Sequence, residues 1–200
     1  MSKKEEPVIE PYSSEDFTCI TFYPDLKRFK MNAMDRDIVA LMTKRAYDMA
    51  GVTDAKVKIF LNGERINIKS FDDYCDMYLK IDENKELPKI IEAKHERWQI
   101  IASLSDGQFQ QVSFVNSICT SKGGTHVNYI TDQIVTKIHA AVQKKNKKLE
   151  IKPHQIRANL WIFVNCLIEN PAFDSQTKEN LGTKASQFGS KVELSDKFLK

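Results

Sequence analysis

The stretch "ANLWIFVNCLIE", residues 158–169, constrains the fold more than any other part of this 200-residue chain. It is nearly continuous apolar sequence, with no polar alternation to mark a wet face. A strand of that kind is stable only when both of its faces are covered. The chain therefore has to place it inside a sheet, in a layered α/β (α+β) fold.

The rest of the chain supplies elements to cover it. Val127, Ile130, Ile134, Ile138, Ala141 and Val142 recur at helical spacing and predict a long amphipathic helix that ends in "KKNKKLE". Asp35 is placed to cap a helix carrying Ile38, Val39, Leu41, Met42, Ala46 and Met49, which stops at Gly51. "KVKIFL", then Asn62-Gly63, then "RINIK" reads as a hairpin, because Asn-Gly readily takes the positive φ of a tight turn. Ser70 opens a short helix through "FDDYCDMYL", with Asp73 three residues on for a capping-box-like contact. "RWQIIASLS" and "QQVSFVNSI" read as strands joined at Asp106-Gly107, and "FTCITFY" alternates like a strand closed by Pro24. Residues 1–16, with Pro7 and Pro11, read as linker. The composition changes at "IDENKELPK", which holds Pro88 and marks a domain boundary. Ser195 is placed to cap a last helix, "ELSDKFLK", and the chain stops at Lys200 with that helix barely begun. A fragment of a longer protein is the expectation.

Composition narrows the function classes. Hydrophobic residues make up 42% and charged residues 28%, the balance of a soluble globular protein. Net charge is only +3, so any nucleic-acid role has to come from local clustering. Cys19, Cys75, Cys119 and Cys166 share no CxxC spacing and predict reduced thiols in a reducing compartment. No apolar run is long enough to span a membrane, and "MSKKEEPVIEP" is no signal peptide.

Motifs for chemistry are sparse. Gly123-Gly124 lacks the spacing of a P-loop. His95, His126, His139 and His154 show no metal spacing and read as surface or capping histidines. No Ser or Cys sits in an elbow-like context, so nucleophilic catalysis has no support. "SKGGTHV" is either an anion site at a helix N-terminus or a helix-entry turn that needs positive φ. "KKNKK", residues 144–148, is either a solvated helix end or a phosphate-contacting loop. Lys178 in "SQTKEN" is either an ordinary loop lysine or a functional one.

"SFVNSICTSKGGTHV" and "WIFVNCLIENPAFDSQTKENL", with the earlier "FTCITFYPDL", "DIVALMTKRAYDMAG" and "DMYL", resemble eukaryotic type IIA DNA topoisomerase, DNA topoisomerase II, in the family's order. The resemblance runs from Phe17 to Lys200. It implies that residues 17–81 are the C-terminal part of a GHKL ATPase domain. It implies that residues 82–200 are a transducer domain of the ribosomal protein S5 domain 2-like fold. In the family a Gln-Thr-Lys loop leaves the transducer, and its lysine contacts the γ-phosphate of ATP. The matching residues are Gln176, Thr177 and Lys178, with Lys178 the catalytic one. A basic loop of the family, facing transported DNA, matches Lys144, Lys145 and Lys147, while Gln143 stands where a lysine is common and Lys148 replaces a glycine. ATP with Mg2+, double-stranded DNA, a homodimer and a nuclear location are implied, with no metal ligand in this chain. The family's catalytic glutamate, magnesium-binding asparagine and glycine-rich lid lie upstream of these motifs, so no ATPase activity is expected of this chain alone. The alternative is a truncated, non-enzymatic module that binds DNA or interferes with dimers.

Overall fold

The computed structural model describes residues 6–82, 85–92, 95–147 and 149–198. It forms two compact units, Met1–Val39 and Ala40–Lys200.

In the first unit the expected strand at residues 17–23 is absent. These residues carry no regular structure, and Phe17, Ile20, Phe22 and Tyr23 are exposed. Alternation sets which side chains share a face, but a strand exists only when its backbone groups pair. No described segment pairs with this one. A 3-10 turn follows at Leu26–Phe29, where Asp25 Oδ1 accepts from the Arg28 amide.

Helix α1 (Arg36–Val52) begins as predicted, with the Ile38 amide donating to Asp35 Oδ1 at 2.8 Å. Within the second unit its buried residues are Asp48, Ala50 and Gly51, while Leu41, Met42 and Met49 of the apolar stripe stay exposed. Asp48 is a buried carboxylate, held by Tyr74 Oη at 2.6 Å, Lys44 Nζ at 2.7 Å and Arg45 Nη1 at 3.1 Å. A buried charge persists only with such partners. Burial, and the bond to Asp48 after it, push the Tyr74 phenol pKa up. A Cβ at Gly51 would lie 2.5 Å from Tyr74 Cγ, so glycine is what lets the helix approach that ring.

Strands β1 (Phe60–Leu61) and β2 (Glu64–Arg65) form the predicted hairpin, with Asn62 at φ 52° and Gly63 at φ 86°. Helix α2 (Phe71–Leu79) is capped as expected: Ser70 Oγ accepts from the Asp73 amide at 3.0 Å, and Asp73 Oδ2 accepts from the Lys69 amide at 3.0 Å. A short antiparallel pair, β3 (Lys80–Asp82) and β4 (Lys85–Glu86), follows it.

The main sheet is built from β5 (Lys89–Ile91), β6 (Trp98–Leu104), β7 (Gln110–Val115), β8 (Ile118–Cys119) and β10 (Leu160–Cys166). Its order is β5-β6-β10-β7-β8. Chain neighbours β6 and β7 are therefore not sheet neighbours. The apolar strand β10 lies between them, antiparallel to β6 and parallel to β7. Strand β9 (Gly123–Gly124) leads into helix α3 (Thr125–Lys145), and α4 (Pro153–Ala158) precedes β10.

Strand β10 has two dry faces. Leu160, Ile162, Val164 and Cys166 join Ile100, Val115, Ile130 and Ile134 in the core under α3. Phe163 joins Ile101, Phe114, Phe71, Tyr74 and Leu79 in a second core under α2, with Trp161 at its edge. Side chains alternate along a strand, so one continuous apolar run serves two helical layers. The predicted burial is observed.

The last helix reduces, within the described residues, to a turn at residues 196–198, whose Phe198 amide donates to Ser195 Oγ at 3.2 Å. No helix among the described residues is long and apolar enough to cross a membrane. All four cysteines are free thiols, and burial pushes the pKa of Cys75 and of Cys166 up.

Candidate functional site

The loop after β10 is built from its ends inward. Asn116 pins its start: Nδ2 donates to the Ile168 carbonyl, and Oδ1 accepts the Ile168 amide, both at 2.9 Å. Arg97 Nη1 meets Glu169 Oε1 at 2.9 Å. Further on the chain folds back, with a Phe173–Leu181 bridge and the Asp174 amide donating to the Asn180 carbonyl. Asn180 Nδ2 also reaches Asp174 Oδ2 at 3.1 Å. The tip is thereby limited to residues 175–179.

Strand β11 (Asn180–Leu181) returns beside β9 in parallel, pairing Asn180 with Gly123 and Leu181 with Gly124. Gly124 has φ 138°, and a Cβ there would lie 2.5 Å from the backbone N and O of Leu181. The Gly-Gly pair is thus a point of close backbone approach as well as a helix entry. It joins the loop to the start of α3.

Within the tip, Gln176 and Thr177 are exposed and Lys178 is half-buried. The Lys178 backbone is left-handed, at φ 58°, and its amide donates to the Ser175 carbonyl at 3.1 Å. Its Nζ lies 6.0 Å from the Phe173 ring centroid, at the outer limit of a cation–π contact. Among the described residues it has no ion-pair partner. Lys122, in the turn before β9, does: its Nζ is 2.8 Å from Glu179 Oε2. The hydrogen bond to Lys122 holds the Glu179 carboxyl below the usual carboxylate range, and the same bond raises Lys122.

His126 is not the surface or capping residue expected. It is fully buried in the first turn of α3, with Nε2 3.1 Å from Thr120 Oγ1, which lies 2.5 Å from Ser113 Oγ. Burial pushes its imidazole pKa down to about 3. The sign follows from that. The unfolded chain binds the extra proton between pH 6.5 and 3, so stability from this residue is whole above pH 6.5 and falls with acid, by about 1.4 kcal/mol per pH unit. The unfolding free-energy gap between wild type and His126→Gln should close by about 2 kcal/mol from pH 7 to pH 5 in urea titrations. A gap that does not change with pH would overturn it.

The basic cluster lies elsewhere. Lys144 and Lys145 occupy the last turn of α3, Lys147 follows the cap residue Asn146, and all three are exposed. Lys148 lies outside the described residues. Gly124 and Lys145 mark the two ends of one 21-residue helix, which at 1.5 Å per residue separates the loop and the cluster by about 30 Å. Lys178 with its neighbours and Lys144 with its neighbours are therefore two sites. Among the described residues no group of three or more His, Cys, Asp or Glu is placed to hold a metal ion.

Sequence reasoning does not find the pairing of Ser121 and Lys122 with Glu179. Lys122 and Glu179 are 57 residues apart, and no local spacing connects them.

The ATPase region of Saccharomyces cerevisiae topoisomerase II matches 88% of this chain and 44% of its own length, with a TM-score of 0.80 at 46% identity. DNA topoisomerase 2 of Arabidopsis thaliana is 55% identical, and DNA topoisomerase 2-alpha of Homo sapiens 53% identical, over the whole of this chain. The chain spans 14% and 13% of the length of those two proteins. The family model for DNA gyrase B matches residues 70–200. The chain belongs to the DNA gyrase B family, and within it is similar to the eukaryotic type II topoisomerases.

Proposed function

We propose that this chain is the part of an ATP-dependent type II DNA topoisomerase that couples ATP binding and hydrolysis to closure of a dimeric gate and passage of one DNA duplex through another. One observation carries the reading. Lys178 stands on a loop tip held at both ends, and among the described residues it is the tip's cation left without a carboxylate. The names of the similar proteins support it.

In this reading residues 17–81 belong to the nucleotide-binding domain and residues 82–200 to the transducer. Gln176, Thr177 and Lys178 face the γ-phosphate of ATP, and Lys178 is the catalytic group. ATP supplies a phosphoryl group whose oxygens gain charge as it leaves. A lysine ammonium, a compact point charge on a flexible stem, suits that role. Its contact exists with the triphosphate and is lost with the phosphate, so two domain orientations become available in turn. No magnesium ligand is assigned to this chain. The test is ATP turnover by the complete enzyme carrying Lys178→Ala, where wild-type turnover would overturn the reading.

Lys144, Lys145 and Lys147 would meet backbone phosphates of DNA in a nuclear homodimer. Exposed lysines at a helix end have no fixed geometry for base edges, so binding would be independent of sequence and sensitive to salt. Replacing Lys144 and Lys145 by alanine should flatten the slope of log affinity against log salt by about 1.8. The same change should reduce stimulation of ATPase by DNA and spare the rate without DNA. Unchanged stimulation with an unchanged slope would make the cluster a solvated helix end.

A further inference from the structure

We infer that Lys122 and Glu179 form a clasp that positions Lys178 and keeps its charge free for a phosphate. The inference rests on Lys178 being the γ-phosphate contact.

Glu179 follows Lys178 directly in the chain. An unpartnered carboxylate there would compete with a phosphate for the lysine ammonium. Both of its oxygens are instead engaged by other residues. Oε2 accepts from Lys122 Nζ at 2.8 Å and from Thr177 Oγ1 at 3.3 Å, and Oε1 accepts from Ser121 Oγ at 3.4 Å. Ser121 and Lys122 belong to the turn before α3, and Thr177 to the loop tip. One carboxylate thus ties the tip to the helix entry and is neutralised there.

The turn that bears Lys122 is itself held firmly. Gln111 Nε2 donates to the Ser121 carbonyl at 3.0 Å, and the Gly123 amide donates to the Thr120 carbonyl at 2.8 Å. The Lys122 amide donates to the Glu179 carbonyl at 2.9 Å, and β9 pairs with β11 beyond it. These backbone bonds do not depend on either charged side chain. The clasp can be removed without unfolding the loop.

The geometry separates two roles. If the clasp merely braced the loop, losing either partner would have the same effect, and losing both would be no better. If it also shields Lys178 from Glu179, the two losses differ. Lys122→Ala strands a carboxylate beside Lys178. Glu179→Gln strands none.

The experiment is steady-state ATPase of the complete enzyme carrying Lys122→Ala, Glu179→Gln, both together, and Lys178→Ala, with melting temperatures for each. Lys122→Ala should lower kcat/KM for ATP by about two- to fivefold, the range exposed charge pairs supply. Glu179→Gln should lower it less. The double variant should recover to the Glu179→Gln value, and the gap between it and Lys122→Ala should narrow as salt rises. A double variant no better than Lys122→Ala, or wild-type kcat/KM in Lys122→Ala, overturns the inference. In the latter case a depressed Lys178→Ala leaves the reading of Lys178 standing. Wild-type turnover in Lys178→Ala overturns both.

Discussion

Alanine at Lys178 is expected to lower ATP turnover of the complete enzyme about tenfold to more than a hundredfold. A hydrogen bond to a charged group contributes roughly 1.5–3 kcal/mol net, and each 1.36 kcal/mol off a barrier is about tenfold in rate. The full effect appears in kcat if the contact strengthens as charge builds on the departing phosphoryl group. The fold should not suffer. The loop is held by the Asp174–Asn180 bonds and by β9–β11 pairing, none of which uses the lysine side chain. A surface change of this kind stays within about 0.5 kcal/mol, or about 1–2 °C in Tm for a chain of this size. Arginine should rescue only in part, because a planar fork does not fit a point-charge site. The measurement is steady-state ATPase beside a thermal melt. Lost turnover together with a large fall in Tm would make the lysine structural.

Phe163→Ala is expected to destabilise the chain by about 3–5 kcal/mol. The ring is fully buried at the middle of β10, stacked on Trp161 at 5.3 Å between centroids and tilted against Tyr78 at 5.8 Å. Its removal leaves a cavity between the sheet and α2, and Tyr78 and Trp161 cannot collapse into it without breaking their edge contacts, Tyr78 to Trp161 and Tyr78 to Tyr74. At about 2–4 °C per kcal/mol the melt should fall by roughly 6–20 °C. Phe163→Leu, which keeps most of the volume, should lose far less. A fall of under 3 °C for the alanine variant would show that the face under α2 carries little of the stability.

Much of the candidate site was legible as residues and little of it as a place. Gln176, Thr177 and Lys178 were picked out by resemblance, and Lys144, Lys145 and Lys147 by charge density and resemblance together. That α3 separates the two groups follows from its length, which periodicity already suggested. Glu179 and Lys122 carry no such mark. Each looks like ordinary surface charge, and their pairing needs β11 to return beside β9. His126 was misread for a related reason. A histidine without metal spacing reads as a surface or capping residue, whereas burial is decided by tertiary packing, which here sets its Nε2 against Thr120 Oγ1.

The sequence by itself determined the local elements: the Asn62-Gly63 hairpin, the Ser70 and Asp35 caps, the α3 stripe, and a β10 that had to be dry on both faces. Each rests on interactions within a few residues, or on a side-chain period that the chain carries along itself. Only the tertiary structure decided that β10 inserts between β6 and β7, that the buried residues of α1 include charged Asp48 while much of its apolar stripe stays exposed, and that residues 17–23 form no strand. It alone brought Lys122 to Glu179. These outcomes depend on which distant segment supplies the missing backbone partner or the countercharge. A pairing across 57 residues leaves no periodic trace in either segment, so it is settled only when the sheet assembles.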